Sequence, residues 1–129
     1  VGYYNGGAVV TNSTSVITAA GGNPNVVYFD FDSSELDAQD QAVLNQQAQF
    51  LQANPSARVA IAGHTDERGS REYNLALGER RAQAAQAYLA TSGVSASRME
   101  AISYGEDQPA DPGHDESAWA KNRRAEISY

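Results

Sequence analysis

Gly63-His64-Thr65-Asp66-Glu67-Arg68-Gly69 and, shortly after, Asn74-Leu75-Ala76-Leu77-Gly78-Glu79-Arg80-Arg81-Ala82 carry the densest information in the chain. The apolar run Val59-Ala60-Ile61-Ala62 leads into the first segment and predicts a strand that ends in a turn bounded by Gly63 and Gly69. The second segment lies inside a helix. Asn74 and Arg81 are seven residues apart, two turns, and therefore share a face, with Gly78 between them. Glycine inside a helix costs about 1 kcal/mol relative to alanine. Its presence implies that a strand backbone or a ligand approaches that face closely.

Outward from this segment, strands alternate with helices. Val26-Val27-Tyr28-Phe29 reads as a short strand, and Asp30 to Leu36 as a polar connection. Asp37 with Asp40 three residues on predicts an N-cap and an acidic first turn. Apolar positions 43, 44, 48 and 51 follow at helical spacing, and Asn54-Pro55 stops that helix. Arg58–Gly63 is apolar at consecutive positions, as for a central strand covered on both faces. The helix over Glu72–Thr91 is expected to bury Tyr73, Leu77, Ala84 or Ala85, Tyr88 and Leu89, with Gly93 just past its end.

Met99–Tyr104 reads as a third strand, and Gly105 to Gly113, with Pro109 and Pro112, as a loop. A helical turn around Ser117–Lys121 precedes Arg124–Tyr129. There Ala125, Ile127 and Tyr129 alternate with Arg124, Glu126 and Ser128, giving a half-exposed last strand. The order β-α-β-α-β-(short α)-β predicts an α/β two-layer sandwich, helices packed on a mixed four-stranded sheet. Residues 1–25, rich in Gly, Thr, Asn and Ser, read as a linker or arm, and 26–129 as the folded domain. The alternative for Ala8–Val10 and Val16–Ile17 is an extra edge strand.

Composition removes several kinds of function. A net charge of −7 and a single lysine, Lys121, argue against nucleic acid and against unaided binding to an anionic membrane surface. No apolar run reaches the length of a membrane span, and no signal peptide is evident. Zero cysteines exclude disulfides, thiolate catalysis and Cys-type zinc sites. A chain opening at Val1 without Met reads as a processed product.

Each chemical candidate has a plain structural alternative. Asp66 and Arg81 can grip the ammonium and the carboxylate of one small zwitterion. They can equally pair with each other, or Asp66 with Arg68 or Arg71. Asp30-Phe31-Asp32 after an apolar strand is the most enzyme-like feature, in the manner of haloacid-dehalogenase phosphotransferases using Mg²⁺. Such an enzyme needs a downstream Lys and a further acidic pair, and Lys121 sits only eight residues from the end. An EF-hand fails because Glu35 stands where glycine is required and Gln41 at the bidentate acid position. His64 and His114, with Asp66 or Asp115, lack an evident third metal ligand, and a hydrogen-bonded histidine near a sheet edge is the simpler reading. Trp119 is expected to pack the short helix onto the core. Arg123 and Arg124, adjacent on a strand, point to opposite faces, one toward the site and one toward surface acids.

Gly63-His64-Thr65-Asp66-x-x-Gly69, Tyr73-Asn74-x-x-Leu77-x-x-x-Arg81-Ala82, Tyr88-Leu89, Gly93, Arg98, Tyr104-Gly105, Pro109 and Asn122-Arg123-Arg124 together resemble the OmpA C-terminal-like peptidoglycan-binding domain. Tyr28 to Ser34, Leu77 to Ala82, and the stretch from Gly113 to Ala125 resemble its lipoprotein branch, including Gly78 where the wider family usually has Ser. The resemblance covers about residues 26–129. It implies an OmpA-like fold, no enzyme activity, no cofactor and no metal, and non-covalent binding of the diaminopimelate residue of peptidoglycan stem peptides. Asp66 would take the ligand ammonium and Arg81 its carboxylate, with Phe31, Asp32, Thr65, Asn74 and Leu77 completing the pocket. It further implies a periplasmic location at the outer membrane of a Gram-negative cell, a β-propeller partner of the Tol system, and membrane attachment only through an N-terminal lipid that this chain does not carry.

Overall fold

The computed structural model describes residues 25–129. The arm expected over residues 1–25 lies, apart from Asn25, outside the described residues. Strand β1 is Val26–Tyr28, helix α1 Ala38–Ala53, β2 Val59–His64, α2 Arg71–Thr91, β3 Met99–Gly105, α3 Glu116–Asn122 and β4 Arg124–Ser128. A single turn of 3₁₀ helix, Ala96–Arg98, leads into β3. The three helices pack on a mixed four-stranded sheet of order β1-β4-β2-β3. Strand β4 is antiparallel to both β1 and β2, and β2 is parallel to β3. This is the expected two-layer α/β sandwich.

Helix ends form where the sequence placed them. Asp37 caps α1 by accepting from Asp40 N, while the Asp40 side chain accepts from Asp37 N at 3.0 Å, a reciprocal capping box. Ser70 caps α2, accepting from Tyr73 N. Past the other end of that helix, Gly93 adopts φ 101°, which only glycine reaches without strain. The 21-residue α2 lies along β2 and β3. Val27, Val43, Leu44, Phe50, Leu51, Ile61, Ala82, Ala85, Leu89 and Ile127 form the core between the layers. Among the described residues no helix is long and apolar enough to cross a membrane.

Three packing expectations need correction. β2 is central, yet only Val59 and Ile61 are deeply buried along its first four positions, while Ala60 and Ala62 on the opposite face are half-covered. The helices all lie on one side, so an apolar run of small residues did not require two covered faces. In β4, Ala125 and Ile127 are buried as expected and Tyr129 follows them, edge-on to Phe50 at 4.8 Å, while Arg124 departs from the alternation by being buried. Trp119 is only partly buried, and the neighbouring Ala118 seats α3 on the domain instead.

Two glycines bring α2 against β2. A Cβ on Gly63 would lie 1.7 Å from the Gly78 carbonyl oxygen, and one on Gly78 would lie 2.4 Å from Ser103 Oγ and 2.9 Å from Gly63 O. The close approach foreseen for the Gly78 face is therefore made by strand backbone. Three residues later on the same helix, Arg81 is drawn under the end of β2.

Candidate functional site

The register of β2 against β3 slips at Gly63/His64, where His64 pairs with Gly105 instead of Tyr104. The extra residue, Tyr104, is on β3, and beyond it Gly105 meets the end of β2 where Thr65-Asp66 leave the sheet. Thr65 N donates to Gly105 O (2.9 Å), and Thr65 Oγ1 donates to Asp66 O (2.9 Å). The Asn74 amide nitrogen, one turn into α2, lies 3.3 Å from Asp66 O and 3.2 Å from Arg68 O, and 2.7 Å from Glu106 Oε1. The turn is thereby fixed from three sides before it presents any carboxylate.

A cleft of about 210 Å³ opens beside this turn, lined by Phe31, Asp32, Thr65, Asp66, Arg68, Gly69, Tyr73, Asn74, Leu77 and Arg81. All seven residues marked as candidates in the sequence converge here. Leu77, 4% exposed, forms an apolar wall, and Phe31, 58% exposed, stands at the mouth. Asp32 follows with φ 54°, a left-handed conformation that reverses the chain after β1.

Arg81 is fully buried, and its guanidinium is held by carbonyls. Nε donates to Ser33 O (2.8 Å), Nη1 to His64 O (2.9 Å) and Nη2 to Asp30 O (3.0 Å). A guanidinium has five N–H groups, so donors on Nη1 and Nη2 are left over. No carboxylate pairs with it among the described residues. Burial pushes its pKa down to about 10, against the opposite pull of Asp66 and Asp32, so it remains a cation at neutral pH. A buried, oriented cation without a contacting counter-ion is ready for an anion.

Asp66 is arranged differently. Its carboxylate is 3% exposed and accepts from Arg68 N (2.9 Å), Arg68 Nη2 (2.8 Å) and, more weakly, Arg123 Nη1 (3.4 Å). Burial raises its pKa, but the side-chain and backbone hydrogen bonds of Arg68 outweigh this and hold it below the usual carboxylate range. Of the two arginines available to it, Arg68 takes it, while Arg71 pairs with Asp107 at 2.6 Å. The direct Asp66–Arg81 ion pair considered from the sequence is not formed.

The other side chains divide as their chemistry requires. Arg123 reaches the site, donating to Phe29 O (2.9 Å) and Glu116 Oε2 (2.8 Å), while Arg124 turns away to Glu126 Oε2 (2.6 Å). Tyr73, expected in the core, stands at the cleft rim, 45% exposed, with its hydroxyl on Asp32. Helical periodicity put it on the inward face, but that face meets the cleft at this level instead of the core. Arg68 and Gly69 are lining residues that pattern alone did not select. Arg68 was visible only as a possible partner for Asp66.

His64 departs from expectation. It is 2% exposed, paired on both sides within the sheet, and neither ring nitrogen has a hydrogen-bond partner among the described residues. Its ring stacks on Tyr104 at 5.4 Å between centroids, and stacking rather than hydrogen bonding positions it. His114 is exposed and sits 2.8 Å from Glu67. Asp30 and Asp32 are both exposed, and Asp30 contributes its main-chain carbonyl to Arg81.

The OmpA family model matches residues 28–123, most of the chain. The chain is 50% identical over 105 residues to the peptidoglycan-associated lipoprotein of Haemophilus influenzae, covering 81% of this chain and 69% of that protein. It is 51% identical over 100 residues to the protein of the same name from Pseudomonas aeruginosa, covering 78% of this chain and 59% of that one. The crystal structure of the peptidoglycan-associated lipoprotein from Burkholderia pseudomallei superposes with a TM-score of 0.80 at 49% identity, over 83% of this chain and 93% of that one. The C-terminal domain of Helicobacter pylori MotB, at 23% identity and a TM-score of 0.74, shares the fold over 81% of this chain and 82% of its own. None of these names is an enzyme's.

Proposed function

The chain belongs to the OmpA family, and from that premise we propose that it binds peptidoglycan non-covalently, recognising the diaminopimelate residue of the stem peptide. One observation carries the ligand assignment: Arg81 is a fully buried cation, fixed by three main-chain carbonyls and paired with no carboxylate among the described residues. The free end of diaminopimelate brings a carboxylate to Arg81 and an ammonium to Asp66. Leu77 and the rim aromatics Phe31 and Tyr73 flank the methylene chain that links this end to the peptide. Asp32, Thr65 and Asn74 shape the walls. The arrangement supports gripping and release, with no bond made or broken.

Affinity for one stem peptide is moderate on this reading. Charge-assisted hydrogen bonds contribute about 1.5–3 kcal/mol each, and association costs about 4–15 kcal/mol. The cell wall repeats the ligand, so a tethered domain meets it at high effective concentration. The domain thereby ties the outer membrane to the wall from the periplasmic face, held to the membrane through an N-terminal lipid. Its relatives' naming as lipoproteins supports that attachment. A β-propeller protein of the Tol system is the protein partner we assign to it.

Sedimentation with purified sacculi tests the reading. The wild-type domain is expected to co-sediment with diaminopimelate-containing sacculi and to be displaced by free stem peptide. Failure to co-sediment, with the domain shown to be folded, contradicts it. The phosphatase reading of Asp30 and Asp32 finds no support in the family.

A further inference from the structure

Asp66 is saturated by the protein's own donors. An ionised carboxylate offers about four lone-pair sites, and four N–H donors already address them. Oδ1 accepts from Arg68 N at 2.9 Å and Arg68 Nε at 3.3 Å, and Oδ2 from Arg68 Nη2 at 2.8 Å and Arg123 Nη1 at 3.4 Å. Arg68 supplies three of the four. A ligand ammonium can reach this carboxylate only by replacing one of them.

The two arginines are not equally replaceable. Arg123 is 8% exposed and anchored elsewhere by Phe29 O and both oxygens of Glu116. Arg68 is 33% exposed and lines the cleft. Its guanidinium carbon lies 4.0 Å from the Phe31 ring centroid and 4.2 Å from that of Trp119, so two aromatic faces hold it by cation–π attraction. A second carboxylate waits nearby: Glu116 Oε1 is 3.9 Å from Arg68 Nη2 and its side chain is 67% exposed. Arg68 can therefore leave Asp66 for Glu116.

We propose that Arg68 is a built-in stand-in for the ligand ammonium. The ligand amine binds by exchange, taking the Asp66 oxygens that the Arg68 side chain vacates, while the guanidinium moves to Glu116. The proposal rests on the reading of Asp66 as the ammonium acceptor. It makes Arg68 a specificity-determining residue. A ligand with the carboxylate but without the amine leaves Arg68 in place, and only an ammonium offsets the pairing that exchange removes. Apparent affinity is lowered in proportion to the population in which Arg68 blocks the site.

The test titrates wild type and Arg68→Ala with a meso-diaminopimelate tripeptide and with its analogue lacking the side-chain amine. Exchange predicts that Arg68→Ala binds the amine-bearing peptide at least about threefold more tightly, with no such gain for the amine-free analogue. Unchanged or weaker binding of the amine-bearing peptide overturns the proposal, weaker binding meaning that Arg68 holds the ligand directly. Thermal melting confirms that the variant is folded. Independently, the Arg68 Nε–H resonance of the wild type is followed as the peptide saturates it. Exchange predicts a shift and faster solvent exchange, and an unmoved resonance overturns the proposal. If wild type itself does not bind the peptide, the functional reading falls as well. Binding by wild type that weakens in the variant removes the exchange alone.

Discussion

Asp66 and Arg81 line one cleft without pairing: carbonyls of residues 30, 33 and 64 hold the arginine, and Arg68 and Arg123 hold the acid. Arg81 thus keeps a buried positive charge with no contacting counter-ion, while Asp66 is paired by two other arginines. A zwitterion of the right length satisfies both at once, and the separation is the physical basis of the binding reading.

Arg81→Lys tests the anion half. A lysine ammonium cannot reach three diverging carbonyls and also present a planar pair of donors. The variant is expected to lose about 1–3 kcal/mol of stability in urea denaturation, because buried carbonyls go unpaired. Diaminopimelate peptide should bind at least about tenfold more weakly by calorimetry, the loss of one charge-assisted contact. Normal affinity would remove Arg81 from the site.

Asp66→Asn keeps the shape and removes the charge. Arg68 falls back on solvent and Glu116, and Arg123 keeps Glu116 and Phe29 O. The fold should survive with a loss of about 1–3 kcal/mol, while co-sedimentation with sacculi disappears. Retained co-sedimentation would show that another group receives the ammonium.

The contact between α2 and β2 predicts an order of severity. Gly63→Ala drives a methyl into the Gly78 carbonyl, a backbone atom that cannot move away without shifting the helix. Gly78→Ala meets Ser103 Oγ first and the Gly63 carbonyl less closely. Gly63→Ala should therefore cost more, at or above about 3 kcal/mol. Adding Ser103→Ala should recover part of the loss from Gly78→Ala and none of that from Gly63→Ala. Thermal melts of the four proteins decide it.

Above about pH 4.5, where the lowered carboxylates are ionised in both states, His64 and Asp40 make opposing contributions to stability. Burial, then the charge of Arg124, push His64 from 6.5 down to about 4, against a pull from Glu126. The unfolded chain takes up this proton first, so the stability His64 contributes is full above pH 6.5 and lost as pH falls toward 4. Burial pushes Asp40 from 3.8 up to about 6, against the backbone hydrogen bonds from Asp37 and Tyr28. Here the native state holds the extra proton, so stability is greatest below pH 3.8 and falls as pH rises through 6. Each slope is at most about 1.4 kcal/mol per pH unit, and they have opposite signs. The wild type should be nearly flat between about pH 4.5 and 6, where His64→Leu should lose stability as pH rises and Asp40→Asn should gain it. Urea denaturation at several pH values reads all three.

Much of the fold is legible in the sequence because its signals are local. The Asp37/Asp40 box, Asn54-Pro55 and Gly93 mark helix ends through their own side chains or backbone freedom. The position of Arg81 follows from helical spacing and from two glycines that let α2 approach β2. What stayed hidden depends on partners distant in sequence. Nothing near Arg68 announces that Phe31 and Trp119 enclose it. Tyr73 has the spacing of a core residue, and only the cleft at that level of α2 exposes it. His64 likewise has no local sign that Tyr104 will cover its ring.

The most direct measurement compares two peptides by calorimetry at neutral pH: a stem peptide containing meso-diaminopimelate and the same peptide with lysine in its place. The two differ by the one carboxylate assigned to Arg81. Measurable binding of the diaminopimelate peptide and at least about tenfold weaker binding of the lysine peptide are the predicted result. Equal affinity for the two would contradict the account.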